Sequence, residues 1–316
     1  MTINYIIVAH RNPRQFQRLV NRLNSEDVFF YVHIDKSVDD HPFKNKLTHL
    51  TNIFFLEDKE RVITAWSNIS FSRAILALLT KCCEKVQKDA YCVLLSGQDY
   101  PLRSNHDIYS FFRSNYGTNY ISIENVVDIW PRWKDRLERY NFHLPGERLD
   151  RGLYPIVDSR CYSLRNAKDF IFLARRFGVK TPVRTLFKGK RKSLCYPEPK
   201  GGSTWYALPV ETVVEILGHL TKHPELLKYH SFSHVPDEIL FHSLINGLKP
   251  SNEIKESTTY VNWSRKNVQL PVTFELSDLN DLLQLDKRYL FARKFDEAID
   301  SDILDQLDAK STNENM

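Results

Sequence analysis

The chain has 316 residues, 42% of them apolar and 26% charged, with a formal net charge of +5. These are the proportions of an ordinary globular protein, and they exclude disordered and fibrous classes. The charge is uneven: residues 165–192 hold ten Lys or Arg against one acid, Asp169, so the remainder is net acidic, which points to an anionic partner for one patch and away from general nucleic-acid coating.

The longest apolar runs, such as residues 74–79, fall far short of the roughly 18 residues a membrane span needs. No signal-peptide pattern opens the sequence. The five cysteines, Cys82, Cys83, Cys92, Cys161 and Cys195, are too few and too irregular for a disulfide framework or a zinc site. The expectation is a soluble, intracellular protein.

In chain order, residues 3–10 read as a short apolar strand with a polar end, typical of a buried parallel strand. Pro13 then opens a helix with Phe16, Leu19, Val20 and Leu23 on one face. Residues 28–35 and 52–56 give a second and a third strand, 67–86 a long helix, and 91–95 a fourth strand that breaks at Ser96-Gly97. This β-α-β series predicts a mostly parallel sheet with helices on its faces. Beyond residue 125 the pattern loosens. Residues 128–145 are rich in Trp, Arg and Tyr, and an amphipathic stretch carries Phe170, Ile171, Leu173, Ala174 and Phe177. Residues 206–208 read as a strand, and 210–220 and 236–245 as helices. One α/β domain over 1–308 is expected, with a nucleotide-binding half (1–125), a decorated acceptor and catalytic half (126–308), and a frayed tail at 309–316.

In open α/β sheets ligands sit outside the carboxyl ends of the strands, which selects His10, Asp35 and the turn at 96–99. No Gly-x-Gly-x-x-Gly follows the first strand, and neither a Walker loop nor a Gly-x-Ser-x-Gly elbow occurs. Four further segments look unlike scaffold: Ser96-Gly97-Gln98-Asp99-Tyr100-Pro101-Leu102; Gly201-Gly202-Ser203-Thr204-Trp205-Tyr206; Val235-Pro236-Asp237-Glu238; and Asn262-Trp263-Ser264-Arg265-Lys266 with Phe291-Ala292-Arg293-Lys294-Phe295-Asp296 downstream.

Together with Val8-Ala9-His10 and Val32-His33-Ile34-Asp35-Lys36, and in this order, these segments resemble the core-2/I-branching and peptide O-xylosyltransferase family, from residue 5 to about 296. The resemblance implies a GT-A-like (Rossmann-like) α/β fold and a metal-independent, inverting glycosyltransferase using UDP-sugars. It makes Glu238 the catalytic carboxylate, although Pro236-Asp237-Glu238 is also what a plain helix start looks like; Asp237 keeps that plainer reading. It assigns Arg265, Lys266 and Lys294 to the diphosphate, leaving open which of the adjacent pair makes the main contact. Fixed cations can replace the charge of a divalent ion, and the Gln98-Asp99-Tyr100 turn lacks the second acid of an Asp-x-Asp clamp. Asp300-Ser301-Asp302 reads as a solvated acidic face.

The same resemblance puts His10 and Asp35 in the nucleotide pocket, with Asp35 toward the uracil, and Asp99 near the donor sugar. It puts Ser203, Trp205 and Tyr206 in the sugar site, where aromatic faces beside hydroxyls suit carbohydrate; Trp205 as plain core is the competing reading. Trp66 stands where relatives have Trp-Gly-Gly, here Trp66-Ser67-Asn68, and is read as packing. The implied reaction moves a sugar, GlcNAc favoured and xylose second, from UDP to the hydroxyl of a glycan, lipid-linked or peptide acceptor, forming a β-glycoside without a cofactor. The setting expected is cytoplasmic, in surface polysaccharide or glycan synthesis, with residues 165–192 as a possible contact with an anionic membrane. The rival reading is a non-catalytic nucleotide- or glycan-binding relative.

Overall fold

Strand β1 (Thr2–Ala9) is buried from Ile3 onward, and its side chains alternate between two cores, Ile3, Tyr5 and Ile7 facing one and Ile6 and Val8 the other. That two-sided burial is why the segment is continuously apolar. β2 (Val28–Ile34) and β4 (Ala90–Ser96) lie parallel to β1 on opposite sides, and β3 (Ile53–Phe55) lies parallel to β2. The crossover direction therefore reverses between β1 and β4, which opens a crevice at their carboxyl ends. A strand at Ala207–Pro209 adds antiparallel to β4, and two-residue strands at Asn119–Tyr120 and Ile254–Lys255 complete seven. The structure, a computed structural model, describes residues 1–85, 88–143, 151–191 and 198–313.

Helix Pro13–Leu23 buries Phe16, Leu19, Val20 and Leu23 on one face of the sheet. Helices Ile69–Cys83, Val210–Lys222 and Asp237–Leu248 cover the other. The mixed α/β architecture with a largely parallel sheet is the one expected. The two halves divided at residue 125 share one core. Residues 259–307 return to the first half: Phe291–Arg293 pairs antiparallel with β5 (Asp99–Pro101) and parallel with Thr259–Val261, and Val272, Phe274, Phe291, Phe295, Ile303, Leu304 and Leu307 enter the same core as β1. Three-residue strands of this kind are too short to leave a periodic signal.

The C-terminal helix runs Asp302–Asn313, beyond the expected domain end at 308. Its buried Ile303, Leu304 and Leu307, and Asp308 bonded to Arg18 and Tyr100, hold it in place. Ser301 and Asp302 are exposed, as expected of a solvated acidic face, and Asp300 also starts the helix: its Oδ1 accepts the Asp302 and Ile303 N–H groups and its Oδ2 that of Leu276. The basic run at 188–192 also departs from expectation. Arg191 is buried and donates to the Phe232 and Tyr229 carbonyls at 2.9 and 2.6 Å, burial lowering it to about 10. The Lys188 ammonium stacks on the rings of Phe232 and Tyr140 at 4.2 and 4.8 Å. Lys192 and Cys195 lie outside the described residues, and the other four cysteines are free.

Candidate active site

Three strand ends meet at the crevice. Asp35 N–H donates to the Ala9 carbonyl at 2.8 Å and Gly97 N–H to the Val8 carbonyl at 3.2 Å, so the residues after β1, β2 and β4 are fixed side by side. His10 is exposed there. Displacement of water lowers its pKa, Arg11 adds to this, Asp35 opposes it, and Arg293 and Lys294 push the same way as Arg11. Lys294 thus belongs to the His10 neighbourhood. It follows the strand Phe291–Arg293, whose parallel partner ends at Val261, and Lys294 N–H donates to Val272, which itself donates to Asn262. The loop carrying Arg265 and Lys266 is therefore anchored beside Lys294. Arg265 already bridges to Asp278, while Lys266 is exposed.

Asp35 is 2% exposed. One oxygen accepts from the Ser37 N–H and hydroxyl at 2.8 and 2.6 Å, the other from the Thr64 N–H at 2.6 Å and the Thr64 hydroxyl. Burial works to raise this carboxyl, but these bonds outweigh it and hold it below the usual range. The geometry gives Asp35 a loop-fixing duty that its sequence context did not reveal. Asp99 is fully buried, with Ser96 donating to Oδ2 and Arg293 3.4 Å away; burial raises it, Arg293 and Ser96 opposing. Its Oδ1 has no hydrogen-bond partner among the described residues.

The sugar-site expectation needs correction at two positions. Tyr206 is 1% exposed and packs on Phe241 inside the core, its ring centroid 5.4 Å away; a ring sealed between sheet and helices offers no face to a ligand. Trp205 is 8% exposed and lies under the Arg293 guanidinium, 3.8 Å from the ring centroid. That face is taken by a cation–π contact. The competing reading of Trp205 as packing is the one the structure favours. Ser203 remains partly exposed, its carbonyl accepting from His242 Nε2 at 3.0 Å.

Glu238 stands in the first turn of helix Asp237–Leu248, whose residues 239–245 are all buried. The paired glycines explain how a chain segment passes so close. A Cβ on Gly201 would lie 2.6 Å from the Trp130 ring, and one on Gly202 2.1 Å from the Ser122 carbonyl oxygen. With neither present, Gly202 N–H donates to the Glu238 carbonyl at 3.1 Å. The Glu238 carboxylate accepts from Arg136 at 2.9 Å, and the Arg136 guanidinium stacks on Trp130 at 3.7 Å. Burial pushes Glu238 up to about 7, neighbouring Asp237 adds to the rise, and Arg136 opposes both. Asp237 is likewise raised by burial and accepts from the Thr204 hydroxyl at 2.9 Å. A carboxyl that titrates near neutrality is suited to taking a proton.

Two connections tie this carboxylate to the crevice. Thr204 touches Asp237 while the next residue, Trp205, supports Arg293 and through it Asp99. Ser67 carbonyl accepts the Val235 N–H at 3.1 Å just beyond the Thr64 loop, and half-exposed Trp66 (49%) meets His234 edge-on at 5.3 Å. Trp66 thus borders the site. The structure brings Glu238, His10, Asp35, Asp99, Ser203 and Lys294 onto one side of the sheet's carboxyl edge. Arg136, Arg293 and Thr204 join them without having been singled out; the clustered Trp130-Pro131-Arg132-Trp133 to Arg139 stretch was the signal for Arg136. A polar cavity of about 320 Å³ is lined by Ile123, Glu124, Asn125, Asp128, Lys200 and Asn246, next along the chain to Trp130 and Gly201. Among the described residues no three His, Cys, Asp or Glu side chains cluster as metal ligands.

The model of the Core-2/I-branching enzyme family matches residues 3–179, more than half of the chain. The chain belongs to this family. Curated relatives extend the likeness over 97% of the chain: xylosyltransferase 2 of Homo sapiens at 25% identity, the same protein of Rattus norvegicus at 24%, and xylosyltransferase 1 of Mus musculus at 22%. The chain spans 33% of the length of the first two and 30% of the third. The largely parallel sheet with flanking helices agrees with the GT-A-like fold expected of a Core-2/I-branching enzyme.

Proposed function

We propose that this chain is an inverting glycosyltransferase that moves a sugar from a UDP-sugar to an acceptor hydroxyl. The observation carrying the proposal is Glu238, a half-buried carboxylate pushed up to about 7, oriented by Arg136 and linked through Thr204 and Trp205 to the crevice. In this reading the acceptor oxygen attacks the anomeric carbon as its proton passes to Glu238, the bond to the UDP oxygen breaks, and configuration inverts. A single in-line displacement needs one base and no nucleophilic carboxylate. Lys294, with Lys266 and Arg265 on the adjoining loop, takes up the charge that develops on UDP, a duty for which a basic set can serve in place of a metal. His10 and Asp35 shape the nucleotide end, Asp35 by holding the 35–37 and 62–64 loops. Ser203 and the polar cavity beside Lys200 lie on the acceptor and sugar side.

The donor is open between UDP-GlcNAc, which the sequence reading favours, and UDP-xylose, which the names of the relatives put beside it. The decisive experiment measures UDP release and glycoside formation for both donors. Glu238→Gln should bind UDP as the unaltered protein does and lose about two to four orders of magnitude in turnover, the usual share of a general base. Transfer should persist in excess chelator. Near-normal turnover of the Gln variant would remove Glu238 from the mechanism, and a loss on chelation restored by Mn or Mg would replace the basic clamp by a metal.

A further inference from the structure

The segment 151–191 carries a face that the core does not use. In helix Leu164–Phe177 the buried side chains are Asn166, Asp169 and Leu173. On the opposite side Leu164, Lys168, Ile171 and Arg175 follow one another at helical spacing, all exposed, Leu164 to 83%. The apolar surface continues off the helix. The Tyr162 hydroxyl donates to the Ile156 carbonyl, and Ile156 N–H donates to Leu186 beside Phe187, which is 72% exposed. Val157 and Val179 are exposed as well.

Charge on this segment has one sign at the surface. Its only acids, Asp158 and Asp169, are buried and bridged to Arg160 and to Arg139 and Arg151. Lys168, Arg175, Arg176, Lys180, Arg184 and Lys190 are exposed. No described helix is long and apolar enough to cross a membrane.

We infer that this face docks on an anionic lipid bilayer, the apolar side chains entering the headgroup–acyl boundary and the cations pairing with lipid phosphates. Basic and apolar residues alternate at every turn of the stripe. A bilayer surface presents phosphate and acyl chain together at every point, whereas a protein partner would need acids and apolar pockets interleaved in matching register. The face adjoins the candidate site: Arg165 and the Tyr154 hydroxyl both engage Asp135, the neighbour of Arg136. The inference does not depend on glycosyl transfer, because binding is read without turnover.

The test is sedimentation of the full chain with vesicles of phosphatidylglycerol and phosphatidylcholine, and with phosphatidylcholine alone. Binding should require the anionic lipid and fall steeply with salt. Replacing Lys168, Arg175, Arg176, Lys180 and Arg184 together by Ser should weaken it by about a hundredfold or more, and Ile171→Ser with Phe187→Ser should weaken it by about tenfold or more. Circular dichroism and thermal melting should confirm that both variants stay folded, since every altered side chain is solvent-facing or half-buried and none belongs to the site. Indifference to anionic vesicles at low salt would overturn the proposal. So would equal binding to phosphatidylcholine alone, or a dimer in solution that the same substitutions dissociate.

Discussion

At Glu238 the local sequence and the three-dimensional setting pull apart. Pro236-Asp237-Glu238 satisfies every requirement of an ordinary helix start, and the helix does start there. What the local sequence does not show is that Arg136, about a hundred residues earlier, reaches this carboxylate, and that the glycine pair lets a strand run against the first turn. In the proposed mechanism only the deprotonated carboxylate accepts a proton, so kcat/KM should rise with pH and reach half its plateau near 7. Arg136 opposes the rise in Glu238, so Arg136→Met should move that limb to higher pH, and Arg136→Lys should largely restore it. A limb that stays put in Arg136→Met would show that another group titrates. The same raised value has a stability consequence. A carboxyl whose folded value lies above its unfolded one contributes stability that is full below the unfolded value of 4.5 and lost as pH climbs through about 7. Glu238→Gln should therefore become progressively more stable than the unaltered chain between pH 5 and 8, by roughly 1–3 kcal/mol of unfolding free energy at the upper end, as read by denaturant melts across pH.

Among the elements, those with a long periodic signal were legible and the very short ones were not. Strands β1, β2 and β4 are buried on both faces and advertise it as unbroken apolar runs. Helix Pro13–Leu23 has its proline at the first position and its apolar stripe inward. By contrast, β5, its partner Phe291–Arg293 and the next strand Thr259–Val261 have three residues each. Phe291–Arg293 pairs with β5 across nearly two hundred positions and with Thr259–Val261 across 32, and no local pattern encodes either. Yet this small sheet sets Lys294 near His10 and ties the start of the 262–266 loop to Lys294 through Val272. Tyr206 and Trp205 were misplaced for a related reason: adjacent aromatics after glycines suit a sugar platform and a buried strand entry equally well, and only burial separates the two. From the placement of Lys294, Lys294→Ala should weaken UDP about 10- to 100-fold and uridine hardly at all, since only UDP carries the charge it holds. Arg265→Ala should act in the same direction but less, because Asp278 already engages its guanidinium. Calorimetry with both ligands measures it; equal losses for UDP and uridine would place Lys294 away from the phosphates.

Across the whole molecule, the first core is shared by residues from both ends of the chain, and Arg293 meets Asp99 across 194 positions of sequence. Closing so long a loop is entropically costly and is repaid only when the late strands dock. A chain truncated after residue 256 lacks the C-terminal core side chains and should therefore show no cooperative melt and bind no UDP, although the segments carrying His10, Asp35 and Asp99 all remain; calorimetry and a thermal melt decide it. On the ribosome this order has a direct meaning. Most of the parallel sheet has emerged well before Phe291, and its crevice waits, with Asp99 lacking Arg293, until the strand Phe291–Arg293 has followed and docked. A chain released before that strand would thus carry Asp99 without the guanidinium that faces it in the finished fold. In the proposed mechanism no UDP-sugar is bound until that strand has docked.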